Sequence, residues 1–436
     1  MNIKNNNEVS NNPPPEANKL DLYLDSGDVN INDSIVKMGE KIGLVRIEQK
    51  KALKVVLFNL FWTQGVRLIT PRDKVSLGVS RYNPHKISYK GLRTVLDGLV
   101  KCKYVTQDVG YKDFISGNSI ATTTQATPKL DSFYKQHNWR SDKDWSAIKN
   151  PELVILRGDT KNKKPIDYVD NKYSNWLREE LAKYNQLLNE EAEISLVKYN
   201  KNTGTEEVVN EYCNLRLARK FIKHHKNEFE VELRYGGRMY APWCNLSSEQ
   251  RKMIRINGDK TVELDLEASS VNVIYMVKTG KRYTGGDPYH LLVNGELIPR
   301  HIVKQGATIM LNTKSINNAV AALENHYLPN VFDDKRTKKN LQKAEEYKLV
   351  KLRIKPSDIL KAFLDKHKSI NSSFLRGKRI GDLVACQESD RVFEIVRRFT
   401  ANNVPILTVY DSFIVQEQYQ EILQKWMDKL LPLISK

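Results

Sequence analysis

Two aspartates interrupt apolar, β-branched runs: Asp265 in Val262-Glu263-Leu264-Asp265-Leu266, and Asp411 in Leu407-Thr408-Val409-Tyr410-Asp411-Ser412-Phe413-Ile414-Val415. A carboxylate at the end or bend of a buried strand is costly unless something pairs with it. Two such groups sharing a pair of divalent ions are a common device for moving phosphoryl groups. The expected ions are Mg²⁺, two of them, with Mn²⁺ as a substitute. The carbonyl of Leu266 would add a hard oxygen ligand beside Asp265.

A second group of residues supplies positive charge. In Arg300-His301-Ile302-Val303-Lys304 the two cations stand four apart, on one face of a helix. Like charges so placed repel unless an anion neutralises them. A nucleoside triphosphate tail would do so, with Arg300 as a clamp and Lys304 as a mobile, proton-bearing charge. Thr308 and Asn312 continue that face. In Tyr235-Gly236-Gly237-Arg238-Met239-Tyr240-Ala241, two glycines permit positive φ or close backbone approach and present Arg238. Asp287-Pro288-Tyr289 reads as a capped helix start.

These residues need elements to hold them. A short strand would deliver Asp265, and Ala268-Ser269-Ser270 would open a helix running through Tyr275. The Asp411 segment reads as a strand–turn–strand hairpin. Tyr173–Asn189 has the apolar stripe of a packed helix, and 208–226 reads as another helix, with His224-His225 on a basic, exposed face. The charged stretch 325–355, with Lys335-Arg336-Thr337-Lys338-Lys339, reads as a solvated helix face.

The N-terminal part is organised differently. Residues 1–20 are polar, Asn- and Pro-rich, and expected to be disordered. Apolar residues recur at helical spacing from Ile42 to Trp62 and again over Leu92, Val95, Leu96, Leu99 and Val100. Short strands follow near Tyr104–Thr106 and 119–124. Helices followed by a small basic hairpin form the winged-helix pattern, in which Arg81, His85, Lys86, Lys90 and Arg93 would contact phosphates. Residues 135–170 read as a linker with one β element at Val154-Ile155-Leu156.

The chain has 436 residues and a formal charge of +18, which favours a polyanionic partner. Its four cysteines are scattered, without the spacing of a zinc site or a disulfide framework. No apolar run is long enough to span a membrane. The polar start lacks a secretory core, so the expected location is the cytoplasm.

Taken in order, these segments resemble the palm-and-fingers region shared by family A DNA polymerases and phage-type single-subunit RNA polymerases. Asp265 is similar to the motif A aspartate, Arg300 and Lys304 to the motif B RxxxK helix, and Val409-Tyr410-Asp411-Ser412 to motif C. Gly237-Arg238-Met239-Tyr240-Ala241 is similar to the GRxYA segment of the RNA polymerases. The resemblance covers about residues 235–420. It implies an α+β fold. A winged-helix-like domain at 21–134 and a linker with a thumb-like helix at 135–205 would precede a palm with an antiparallel sheet and helical fingers at 206–436.

The implied activity is nucleotidyl transfer to a nucleic-acid 3′ end, with Asp265, Asp411, Arg300 and Lys304 as catalytic residues. Arg300, Lys304, Thr308, Asn312 and Ser270 would bind the nucleotide, and Arg238 the nucleic acid. The partners are then DNA or RNA and nucleoside triphosphates. The chain departs from the family at Asn312, where a tyrosine is usual, and at Thr308, where DNA polymerases place an aromatic residue. Ser270 stands where they have a sugar-gating glutamate, and Tyr410 replaces histidine. Two alternatives stay open: a catalytically silent DNA-binding replication or regulatory protein, and a metal-dependent nuclease.

Overall fold

The computed structural model describes residues 17–62, 66–70, 77–110, 121–139, 151–158, 164–200, 203–212, 215–224, 233–327, 345–346 and 348–430. It is mixed α/β, with largely antiparallel sheets, and divides into two compact units: 1–152 with 164–167, and 153–163 with 168–436. Among the described residues, no helix is long and apolar enough to cross a membrane.

The first unit contains α1 (Val29–Lys41), α2 (Ile47–Trp62), α3 (Tyr89–Lys101) and α4 (Pro128–Gln136). Its strands are β1 (Ala17–Lys19), β2 (Arg67–Ile69), β3 (Val105–Asp108) and β4 (Thr123–Ala126), in the order β1-β2-β4-β3. Asp28 caps α1 by accepting from the Ile31 amide at 3.0 Å, and Ser88 caps α3 by accepting from Gly91 at 3.0 Å. Helix α2 is buried almost all round, through Leu53, Val56, Leu57, Phe58 and Leu60, so it forms the centre of the unit. Leu92, Val95, Leu96 and Leu99 of α3 pack on it as their spacing requires, whereas Val100 faces solvent. The expectation of disorder through residue 20 fails at Ala17–Lys19, which pairs in parallel with β2. Residues 1–16, 111–120 and 140–150 lie outside the described residues.

The second unit is built on a six-stranded sheet in the order β14-β15-β11-β10-β6-β7, with every adjacent pair antiparallel. Its strands are β6 (Ile194–Asn200), β7 (Thr205–Tyr212), β10 (Ile254–Ile256), β11 (Asp259–Asp265), β14 (Leu407–Val409) and β15 (Ser412–Gln416). A second sheet joins β5 (Val154–Arg157), β8 (Ala218–Ile222) and β9 (Gly236–Tyr240). A hairpin joins β12 (Leu291–Val293) to β13 (Glu296–Ile298). The helices are α5 (Lys172–Glu191), α6 (Ser248–Arg251), α7 (Ser269–Thr279), α8 (Arg300–Asn312), α9 (Ile316–Tyr327), α10 (Pro356–Lys366), α11 (Lys378–Ala401) and α12 (Gln420–Leu430).

Helix α11 is the spine of this unit, packing on α5, α7, α8, β9 and β14. Tyr184 of α5 donates to the Ile406 carbonyl at 2.5 Å, and the fully buried Trp243 donates to Thr408 at 3.0 Å, which pins the strand leading to Asp411. A separate helical core joins α7, α8, α9 and α10 through Ile274, Ile302, Met310, Leu323, Leu360 and Phe363.

The helix expected over 208–226 is absent. Residues 205–212 form an edge strand, exposed along almost its whole length and paired with β6 through a turn in which Gly204 has φ 71°. Such a strand is held by backbone pairing, so its side chains carry no apolar alternation to betray it. In β8 the residue that breaks the pattern is Arg219, buried beside Asp390 at 2.8 Å. His224 follows β8 and pairs with Asp382 at 2.7 Å, so it is not on an exposed helix; His225 lies outside the described residues. Asp287-Pro288-Tyr289 forms a turn into β12 instead of opening a helix. The Tyr289 amide donates to the Asp287 side chain at 3.0 Å, and proline suits a turn as well as a helix start. Of 325–355, the Lys335–Lys339 run lies outside the described residues.

Candidate functional site

Strands β11 and β15 are neighbours, and their register places Asp265 opposite Ser412. Asp411 precedes Ser412 in a two-residue turn, and the Leu266 amide donates to the Asp411 carbonyl at 3.1 Å. Two aspartates 146 positions apart in sequence are thus joined through one backbone hydrogen bond at the rim of the sheet.

The backbone around them is strained on both sides. Tyr410, first of the two turn residues, has φ 58°, and Ala268, which leads from the β11 end into α7, has φ 47°. Non-glycine residues rarely adopt this region, and it persists only where the surroundings impose it. For the hairpin, the two-residue connection imposes it. The Ser412 hydroxyl donates to Glu263 at 2.7 Å, and Arg251 donates to the other oxygen of Glu263 at 2.9 Å, locking the two strands below the aspartates.

A third carboxylate lies behind the pair. Glu388 of α11 is 4% exposed, with the Arg238 guanidinium at 3.6 Å and the Ser270 hydroxyl donating at 3.3 Å. Burial first, then the charge of Asp411, pushes its pKa above the usual carboxylate range. Asp265 is exposed at the end of β11, yet its carboxylate is crowded by neighbouring groups. Desolvation there, followed by the charge of Asp411, raises it to about 6, against an opposing pull from Lys304. Burial and mutual repulsion both raise these carboxyl groups, a cost that a hard cation bound between them would offset. Among the described residues no three His, Cys, Asp or Glu side chains converge as a ready-made cage. Two carboxylates are instead the kind of donor that Mg²⁺ accepts, since it keeps waters and takes further oxygens from phosphates.

Helix α8 presents Arg300, Lys304, Thr308 and Asn312 along an exposed face. Lys304 is close enough to Asp265 to influence its charge. Thr308 and Asn312 spend hydrogen bonds on the carbonyls four residues back, at 2.9 and 2.8 Å. A Cβ on Gly381 would meet the Asn312 side chain at 2.7 Å, so Asn312 lies against α11. Arg300 donates to Asp287 at 2.7 Å and lies over the Tyr289 ring at 5.1 Å. Tyr289 is buried and raised to about 12. Desolvation dominates that shift, Arg300 opposes it, and the charges of Glu388, Asp287 and Asp411 add to it. Tyr289 therefore stands between the cationic helix and the carboxylates. Its turn is held from behind by His367, whose Nε2 faces the Pro288 carbonyl at 2.9 Å while Nδ1 faces the Tyr275 hydroxyl at 3.0 Å. The carbonyl only accepts, so Nε2 carries the proton, and burial lowers the pKa of the imidazole.

Folding thus brings together Asp265, Leu266, Asp411, Ser270, Lys304 and Arg238, with Arg300 beyond Tyr289. No motif in the sequence marks Glu388 as part of the site, and Tyr289 stands out there only as part of a turn or helix start. The one available signal for Glu388 was an acid on the stripe Val384, Glu388, Arg391, Ile395 of an amphipathic helix. In the first unit, Lys86, Lys90 and Arg93 are exposed. Arg81 is not available for phosphate contacts: it is mostly buried, donating to Asp167 at 2.7 Å and to Glu152 at 3.0 Å.

The raised Asp265 gives a measurable consequence. The folded state holds its proton to about pH 6 and the unfolded chain only to 3.8, so this group favours folding below about pH 4 and loses that contribution as the pH rises through 6. Asp265→Asn is expected to match the wild type in urea midpoint near pH 4 and exceed it above about pH 7. Added Mg²⁺ should raise the wild-type midpoint above pH 7 and leave the variant nearly unchanged. A variant that is less stable than wild type above pH 7 would contradict the crowding of charge described above.

No protein family, curated protein or solved structure matches the chain.

Proposed function

We propose that the second unit is a nucleotidyltransferase that adds nucleotides to the 3′ end of a nucleic acid, and that the first unit holds nucleic acid as a winged-helix module. The observation that carries the reading is the juxtaposition of Asp265, at the end of β11, and Asp411, in the turn that opens the neighbouring β15, with Lys304 within range of Asp265. The six-stranded antiparallel sheet would be the palm, and α8 with α9 and α10 the fingers.

Bound Mg²⁺ would acidify the attacking hydroxyl and stabilise charge on the leaving pyrophosphate. Asp265, Asp411 and the Leu266 carbonyl would hold it. The 3′ oxygen, giving up its proton to solvent, would attack the α-phosphorus, the bond from that phosphorus to the bridging oxygen of the β-phosphate would break, and pyrophosphate would leave. Lys304 delivers a proton to that leaving oxygen. Arg300 exchanges the Asp287 carboxylate for a terminal phosphate, a swap of one oxyanion for another that keeps its stacking on Tyr289. Glu388 holds Arg238 and Ser270 in place from below. The winged-helix reading rests on the antiparallel hairpin of β3 and β4 that follows α3, paired through β4 to β2, and on Lys86, Lys90 and Arg93 at and beside α3.

The test is incorporation of labelled NTPs and dNTPs on DNA and RNA primers, with and without template. Arg300→Ala is expected to raise KM for the nucleotide by roughly ten-fold, the cost of one charged hydrogen bond. Lys304→Ala should lower kcat by ~10²-fold, the usual worth of a positioned proton donor. Absence of incorporation under all these conditions would overturn the assignment and leave the silent DNA-binding alternative, which the existing Arg300–Asp287 pair favours.

A further inference from the structure

Beside Asp411 lies a group of side chains that metal and triphosphate chemistry does not use. Tyr410 is 40% exposed. Its ring meets Tyr240 edge-on at 6.2 Å and 86°. The Arg238 guanidinium lies over Tyr410 at 5.7 Å, and the Lys220 ammonium over Tyr240 at 4.1 Å. Arg238 is itself 44% exposed at its side chain and steadied by Glu388.

Tyr410 occupies a backbone position that glycine would fill without strain, at φ 58°. A large aromatic side chain there gains little from burial, because much of its surface remains in water. Its presence is explained if a ligand covers it. Aromatic rings interleaved with cations match a single nucleic-acid strand, whose bases stack on the rings while its phosphates meet the cations. The chain's +18 charge draws such a polyanion in. A peptide or an apolar small molecule would not need both cations.

We propose that Tyr410 and Tyr240, flanked by Arg238 and Lys220, form a stacking platform for the terminal base of a single nucleic-acid strand. That the terminus is the 3′ end rests on the nucleotidyl-transfer reading; the platform itself rests on the side-chain geometry. Tyr410 directly precedes Asp411, so a base stacked there is held next to that carboxylate.

The test is photocross-linking of the full chain to a short single-stranded DNA with iododeoxyuridine at its 3′ terminus, without nucleotide or added metal, and mapping of adducts by mass spectrometry. Adducts are expected on Tyr410 or Tyr240. Tyr410→Phe should retain them. Tyr410→Gly, which keeps the left-handed turn while removing the ring, should lower the yield by roughly ten-fold, in line with the loss of one stacked base. Unchanged yield in Tyr410→Gly, adducts confined to other residues, or equal yield with the halogenated base at the 5′ end would overturn the proposal. Failure of the two readings is separable. Adducts on Tyr410 in a protein that incorporates no nucleotide would uphold the platform and remove the transfer reaction, and incorporation without such adducts would do the reverse.

Discussion

Asp411→Asn is expected to lower nucleotide incorporation by ~10³-fold or more, because several kcal/mol of metal-mediated charge stabilisation depend on that carboxylate. The substitution is close to isosteric. It preserves the backbone carbonyl that accepts from Leu266 at 3.1 Å, so the strand pairing survives. It also removes a negative charge from beside Asp265 and the buried Glu388, both of which Asp411 raises. The variant should therefore be at least as stable as the wild type at neutral pH, and the Asp265 carboxyl should titrate lower. Inactive and no less stable is a combination that misfolding does not produce. Single-turnover primer extension and urea unfolding on one preparation would check it. Incorporation within ten-fold of wild type would remove Asp411 from the chemistry.

The largest structural effect is expected at Gly237. Its φ of 66° is strained for any other residue, and a Cβ there would lie 2.9 Å from both Arg219 Nη2 and Phe221 Cε1 and 3.1 Å from Cys386 Sγ. The Gly237 carbonyl accepts from Arg219 Nε at 2.8 Å and from the Ser389 hydroxyl at 2.6 Å. Arg219 is fully buried, packed against Phe221 and Phe393 and paired with Asp390. An alanine must push against these groups, and a buried cation that loses its partners is costly. Gly237→Ala should lose about 3–5 kcal/mol, combining backbone strain with a disturbed buried ion pair. Gly258 has φ 78° but nothing within 4 Å of the position of its Cβ, so Gly258→Ala should lose only about 1 kcal/mol. Equal losses at the two positions, read from urea midpoints, would show that packing around Arg219 contributes nothing.

How far the sequence could be read depended on whether burial left a pattern. Strand β15 is buried along its whole length and is legible from its apolar centre, Phe413-Ile414-Val415. The stripe on α5 matched its buried residues Leu177, Leu181, Tyr184 and Leu187. The paired glycines before Arg238 adopt the positive φ their composition allows, 77° and 66°. Strand β7 went unseen because it buries almost nothing, and Arg219 and Glu388 were passed over because charged side chains carry no sign of being inside. Arg81 looks like a phosphate contact in the sequence because only folding brings Glu152 and Asp167 around it.

By itself, the sequence determined the local chemistry. It set acids within apolar strands, two cations one helical turn apart, glycines before an arginine, and a net positive charge. Each follows from residue type and from periods of two or 3.6 residues, which are properties of neighbours along the chain. Tertiary structure alone decided which charges meet. It placed Asp265 beside Asp411, put Glu388 within reach of the Asp411 charge, gave Arg300 to Asp287 and Tyr289, and set Tyr410 against Tyr240. Those pairings join residues far apart in sequence, and their energies depend on distance and desolvation, which exist only once the chain has packed.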